Sequence, residues 1–121
     1  MYVDGYVLAV KKGKLNAYKK MAQEGGKVWK KHGALQYFEC VGDDLTSVNK
    51  WGGLAFPKMI KAKKGETVFF SFVIYKSKKH RDQVNAKVHK DMGENPDMRN
   101  MPMPFEMNRM AYGGFKPLVQ L

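Results

Sequence analysis

The stretch HGALQYFECVGDD, residues 32–44, sets one histidine, one glutamate, one cysteine and two aspartates close together. Those side chains ligate metals and move protons, so the first question is whether they can act on one atom. Strand alternation separates them. It puts Leu35, Tyr37, Glu39 and Val41 on one face, with Gln36, Phe38 and Cys40 on the other. Glu39 and Cys40 therefore point apart and cannot share an ion. His32 ends the apolar stripe of the preceding helical segment, which predicts a packed, hydrogen-bonded imidazole. Asp43 and Asp44 follow Gly42 at a turn, where aspartate bonds its own backbone. Cys40 has no cysteine or histidine at zinc spacing. No metal and no cofactor are expected.

Other chemically able groups sit on segments that look buried. Asp4 and Tyr6 share a face of the first strand with Tyr2 and Leu8; Ser71 and Tyr75 share a face of the third. An acid or a phenol in such a place is costly unless paired. A pairing of Asp4 with Arg109, from the neighbouring last strand, is one expected solution. On the second long helix Arg81, Asn85 and His89 share a face at i, i+4, i+8, which suits either an anion-binding strip or, preferably, a solvated surface. No nucleophile–base pair or phosphate loop stands out, so no reaction follows.

The elements that position these groups come from periodicity. YVDGYVLAV (2–10) is a short strand rich in tyrosine and valine. In the following segment Leu15, Tyr18, Ala22, Trp29 and His32 recur at helical spacing among Lys19, Lys20, Lys27, Lys30 and Lys31, predicting an amphipathic helix with a basic outer face. Gly25-Gly26 weakens its middle and Gly33 is a natural stop. ALQYFECV (34–41) is a second strand. Residues 42–65 are expected to be mostly loop, extended over 56–61. ETVFFSFVIY (66–75) is the strongest strand. Ser77 caps a helix over 78–92, the proline-bearing 93–104 is a loop, and a fourth strand lies near 108–116. The order is β-α-β-β-α-β, an α+β, ferredoxin-like split βαβ, in a single domain over 1–121. Two helices on one sheet face leave the other bare, and the phenylalanines of 66–75 point both ways, so something must cover that face.

The formal net charge of +11 rests on 22 lysines and arginines, of which only Arg81, Arg99 and Arg109 are arginine. Lysine is a solvated point charge rather than a fork for phosphates or bases. The surplus therefore predicts solubility and weak, sequence-blind nucleic-acid binding more than recognition. A sharper alternative is RNA stacking. An RNA-recognition motif has the same element order, FSFVIY (70–75) resembles the tail of its longer signature and MYVDGY (1–6) its shorter one. Tyr2, Phe70 and Phe72 would be the platform. Against it, Val68-Phe69 replaces the basic opening of the longer signature. A lone cysteine fits a reducing compartment, no stretch suits a bilayer span, and a soluble cytoplasmic protein with no membrane partner is expected.

MYVDGYVLAV, HGALQYFECVGDD, ETVFFSFVIYKSKKHRDQVNAKV and RMAYGGFK together resemble the YbaA-like family of small uncharacterised bacterial proteins. The resemblance covers nearly the whole chain, departing from the family pattern over 45–55 and around DMGENPD. It implies a dimeric α+β barrel, in which two ferredoxin-like sheets close on each other, and it implies no settled activity. A homodimer would bury the face that RNA needs. Small-molecule binding in the barrel interior, with Asp4, Tyr6, Ser71, Tyr75 and Arg109 as candidate contacts, is then the leading expectation.

Overall fold

Runs of β-branched and aromatic residues form the two long central strands, and the computed structural model describes all of residues 1–121. Strand β1 spans Tyr2–Lys11, helix α1 Leu15–Lys31, strand β2 Gln36–Val41, and the short helix α2 Phe56–Met59. Strand β3 spans Glu66–Tyr75, helix α3 Lys78–Glu94, the short helix α4 Pro96–Arg99, and strand β4 Ala111–Phe115. The expected order of four strands and two long helices is present, with two short helices added in the connections. One expectation fails: residues 56–59 form a helical turn, not an extended segment. Pro57 lies in its first turn, where the missing N–H costs nothing.

The sheet order is β2-β3-β1-β4 and every neighbouring pair is antiparallel. Both long helices pack on one sheet face. There Leu8, Val10 and Phe69 meet Tyr18 and Ala22 of α1, while Val73 and Tyr75 meet Val84 and Val88 of α3. Ser77 caps α3 as expected, its Oγ accepting from the His80 N–H at 3.1 Å. Gly33 ends α1 with φ of +113°, a conformation that side chains with a Cβ resist.

Gly26 has a purpose that helix propensity hides. A Cβ there would lie 2.8 Å from two ring carbons of Tyr37. Its absence lets the β2 tyrosine close against α1.

The opposite sheet face carries Phe38, Phe70, Phe72 and Phe115. Phe38 stacks on Phe72 with centroids 4.8 Å apart, and Phe70 lies 5.9 Å from Phe72. Phe56 of α2 leans edge-on against Phe70 at 6.1 Å. Even so, Phe38 and Phe70 stay 42% and 46% exposed, so this face is only partly covered.

Candidate functional site

Between α1 and the edge strand β2 the helix-side layer opens into a cleft of about 910 Å³. Its walls are apolar, drawn from Leu15, Ala22, Leu35, Val41 and Phe69, and Lys19, Lys27 and Lys30 stand along it. Its polar centre is Glu39. The carboxylate Oε2 accepts from the Tyr18 hydroxyl at 2.8 Å and from the Ser71 hydroxyl, and Oε1 accepts from the Tyr37 hydroxyl at 2.8 Å. Three elements converge here: α1 supplies Tyr18, β3 supplies Ser71, and β2 supplies Tyr37 and Glu39 itself. Burial pushes the phenols of Tyr18 and Tyr37 upward, and the Glu39 carboxylate adds to both shifts. Both therefore remain neutral donors. A carboxylate offers about four lone-pair sites; three are occupied, and the fourth, on Oε1, has no hydrogen-bond partner within the chain.

A second polar network locks the other half of the same layer. Asp4, buried on β1, accepts from Arg81 Nη1 at 2.8 Å and from Asn85 Nδ2 at 3.3 Å. Asn85 Oδ1 accepts from the Tyr75 hydroxyl at 3.0 Å and from Trp29 Nε1 at 3.1 Å. The Arg81 guanidinium lies 4.8 Å from the Tyr2 ring centroid. Every buried side-chain nitrogen and oxygen in the chain has a hydrogen-bond partner. This network ties β1, β3, α1 and α3 together and leaves no group free.

The structure sorts the sequence-derived candidates. Asp4, Tyr6, Ser71 and Tyr75 share the sheet face under the helices, not the open face that a second sheet would close, so they do not line a barrel interior between two sheets. Asp4 pairs with Arg81 rather than Arg109. Arg109 lies elsewhere, held to Glu66 by two bonds of 2.8 Å and to the Lys61 carbonyl at 3.3 Å. That pairing holds the Glu66 carboxyl down at about 2. Ser71 alone joins the cleft, through Glu39. Tyr6 stacks on Tyr112 at 5.8 Å, and burial, followed by the nearby Asp4, pushes its phenol up to about 12. The RNA platform is split: Tyr2 lies on the helix side against Arg81, opposite to Phe70 and Phe72. Arg81 and Asn85 face the sheet rather than solvent.

Other expectations hold. Glu39 and Cys40 lie on opposite faces of β2, His32 bonds Asp91 at 2.8 Å, and Asp44 accepts from its own turn at Ser47. Glu39, Tyr18 and Tyr37 were missed as site residues. The signal was available, since Glu39 alternates with Leu35, Tyr37 and Val41, and a carboxylate on such a face demands partners for the same reason as Asp4.

A four-stranded antiparallel sheet with its helices on one face defines an α+β two-layer protein. The same fold is seen in a NIPSNAP domain protein from Burkholderia xenovorans (TM-score 0.55, 12% identity, 97% of this chain and 94% of that one). It is seen also in protein Atu4242 from Agrobacterium tumefaciens (TM-score 0.52, 19% identity, 97% and 93%). At the level of sequence, residues 1–107 match the family of proteins of unknown function DUF1428. The chain is 38% identical over 120 residues to the uncharacterized protein YbaA of Escherichia coli K12, covering 98% of this chain and 97% of the relative, and equally so to YbaA of Shigella flexneri. The chain belongs to the DUF1428 family, as its resemblance to YbaA-like proteins implied. No helix is long and apolar enough to cross a membrane.

Proposed function

We propose that this protein is a homodimer that binds a small amphipathic molecule in the cleft between α1 and β2. The observation that carries this reading is the convergence of an apolar cleft of about 910 Å³ on one carboxylate with an unfilled acceptor site. A volume of that size suits a small-molecule pocket lined mainly by apolar groups with a few fixed polar ones. The ligand it fits has an apolar or aromatic body, a hydroxyl or N–H that donates to Glu39 Oε1, and an anionic group that reaches Lys19. Tyr18 and Tyr37, kept protonated, fix the carboxylate so that it can accept but cannot swing away.

Anilinonaphthalene sulfonate has all three features and is a suitable probe. Its fluorescence should rise on binding the folded protein with one site per chain. Val41→Glu and Lys19→Glu, both at exposed positions on the cleft, should each weaken binding about tenfold, which is roughly 1.4 kcal/mol. Lys87→Glu, at an exposed position of α3 away from the cleft, should leave cleft affinity unchanged. Equal loss in all three variants would refute the cleft.

The dimer reading rests on the phenylalanines of the open face. Each strand residue covers about 16 Å² of sheet, so the four strands offer roughly 500 Å² of projected surface. That is a large share of the ~800 Å² per partner found in stable interfaces. Light scattering should give a dimer at micromolar concentration and a monomer for Phe70→Asp. Nucleic-acid stacking on Phe38, Phe70 and Phe72 is the second reading, favoured by their exposure. It is weakened by the position of the charge: Lys11, at the end of β1 opposite Glu66, is the one lysine at an open-face strand position, while α1 holds Lys19, Lys20, Lys27, Lys30 and Lys31 on the other side of the sheet. A wild-type monomer that binds single-stranded RNA at physiological salt would put this reading first.

A further inference from the structure

Beyond Phe115 the chain runs through residues 116–121 without regular structure and with its apolar side chains in solvent. Leu118 is 94% exposed, Val119 74%, and Leu121 fully so. Three large aliphatic side chains left bare in one short segment are costly and call for a cover. At the opposite sheet edge a second apolar surface is also uncovered. The edge strand β2 has no neighbour on its outer side, and Leu35 (41% exposed) and Val41 (52% exposed) border the open mouth of the cleft.

We infer that residues 116–121 of one copy fold over the β2 edge of a second copy and close the end of its cleft beside Leu35. The inference rests on the dimer reading above and adds to it that each binding cleft is completed by the partner's tail. Symmetry supports it. When two sheets stack by their open faces, a two-fold axis along the strands lays β4 of each copy over β2 of the other. An axis across the strands lays each edge on its own copy and brings neither tail to β2. Only the first operation covers both bare surfaces.

Register supports it as well. Phe115 pairs with Val3, Val3 with Ile74, and Ile74 with Gln36, so Phe115 and Gln36 stand at the same level of the sheet. The partner's Phe115 then lies over Gln36 across about 10 Å of sheet spacing. Six extended residues reach about 20 Å, enough to cross that gap and round the edge to Leu35 and Lys30, which line the cleft at this end. The bend at Leu118 falls where the tail must turn around the edge. Pro117 lacks an N–H, which suits a residue outside any ladder.

The test uses the full chain. In a Cys40→Ser background, one variant carries Gln36→Cys and another Leu118→Cys. After mixing, exchange and mild oxidation, a non-reducing gel should show a covalent dimer from the mixture and little from either variant alone. Native protein with Leu118→Asp and Val119→Asp should remain dimeric yet bind anilinonaphthalene sulfonate at least fivefold more weakly. A dimer by light scattering that yields no mixed cross-link overturns the tail inference and leaves the dimer intact. So does a dimer whose probe affinity ignores the tail aspartates. A wild-type monomer overturns both.

Discussion

Replacing Glu39 by leucine separates a structural carboxylate from an ordinary edge-strand glutamate. The side chain is half-buried and holds three hydroxyls. Leucine fills similar space, so the cost lies in the donors left behind. Tyr18 and Ser71 are buried, at 3% and 4% exposure. Each loses its only side-chain acceptor in dry surroundings. Tyr37 borders the open cleft, where water can replace Glu39, and contributes little. An unsatisfied buried hydroxyl costs about 1–3 kcal/mol, so two give about 3 kcal/mol, partly offset by the apolar area that leucine buries. For a chain of this length ~1 kcal/mol moves Tm by about 4 °C, and the expected loss is therefore about 10 °C. Differential scanning calorimetry and urea unfolding followed by Trp29 and Trp51 fluorescence would both measure it. Glu39→Gln keeps one acceptor oxygen and lets the hydroxyls rotate, so its loss should be less than half as large. An exposed glutamate without such bonds would change stability by less than about 0.5 kcal/mol. That result for Glu39→Leu would mean the three hydroxyls are not held as described, and the cleft would lose its fixed polar centre.

The remaining expectations concern the rest of the helix-side layer. Arg81→Ala strips the buried Asp4 of its charge partner and should cost about 3 kcal/mol in urea unfolding, whereas Asp82→Ala, which loses only an exposed ion pair, should stay within about 0.5 kcal/mol. Gly25→Ala should stabilise by about 0.5–1 kcal/mol, because its new Cβ meets nothing closer than 3.7 Å. Gly26→Ala should destabilise by at least about 1 kcal/mol, because the Cβ meets the Tyr37 ring at 2.8 Å. Tyr6, Tyr18, Tyr37 and Tyr75 all have phenols raised, with burial the first cause and neighbouring carboxylates the second. A raised phenol stabilises the fold below the unfolded value of about 10 and loses that contribution as pH climbs. Phenolate absorbance and circular dichroism should therefore change together near pH 12, the value for Tyr6; ionisation of all four near pH 10 in a folded protein would refute this.

Much of the fold was legible because its signals are local. Runs rich in β-branched and aromatic residues gave the strands at 2–10 and 66–75, the 3.6-residue stripe gave α1, and alternation assigned Asp4, Tyr6 and Glu39 to their faces. The partners were not legible, because they are separated by long stretches of chain. Asp4 meets Arg81 77 positions away, and local pattern could not choose between Arg81 and Arg109. The choice followed from α3 crossing the sheet above Asp4, while Arg109 met Glu66 at the far end of β3. Sequence neighbours suggest a metal-ligand role for Glu39, yet two of its partners come from 21 and 32 positions away. Gly25-Gly26 looked like a weakness of the helix because the Tyr37 ring that needs the space is on another element.

Ligand binding at Glu39 between α1 and β2 is the central proposal. Titrating isotope-labelled protein with anilinonaphthalene sulfonate and following backbone amide shifts locates the bound molecule directly. The largest shifts should fall on Gln23, Lys27, Gln36 and Glu39, saturating at one site per chain and needing about tenfold more probe to saturate in Val41→Glu. Shifts confined to Val7, Phe70 and Phe72 on the open face, or no saturable shifts in the folded protein, would contradict it.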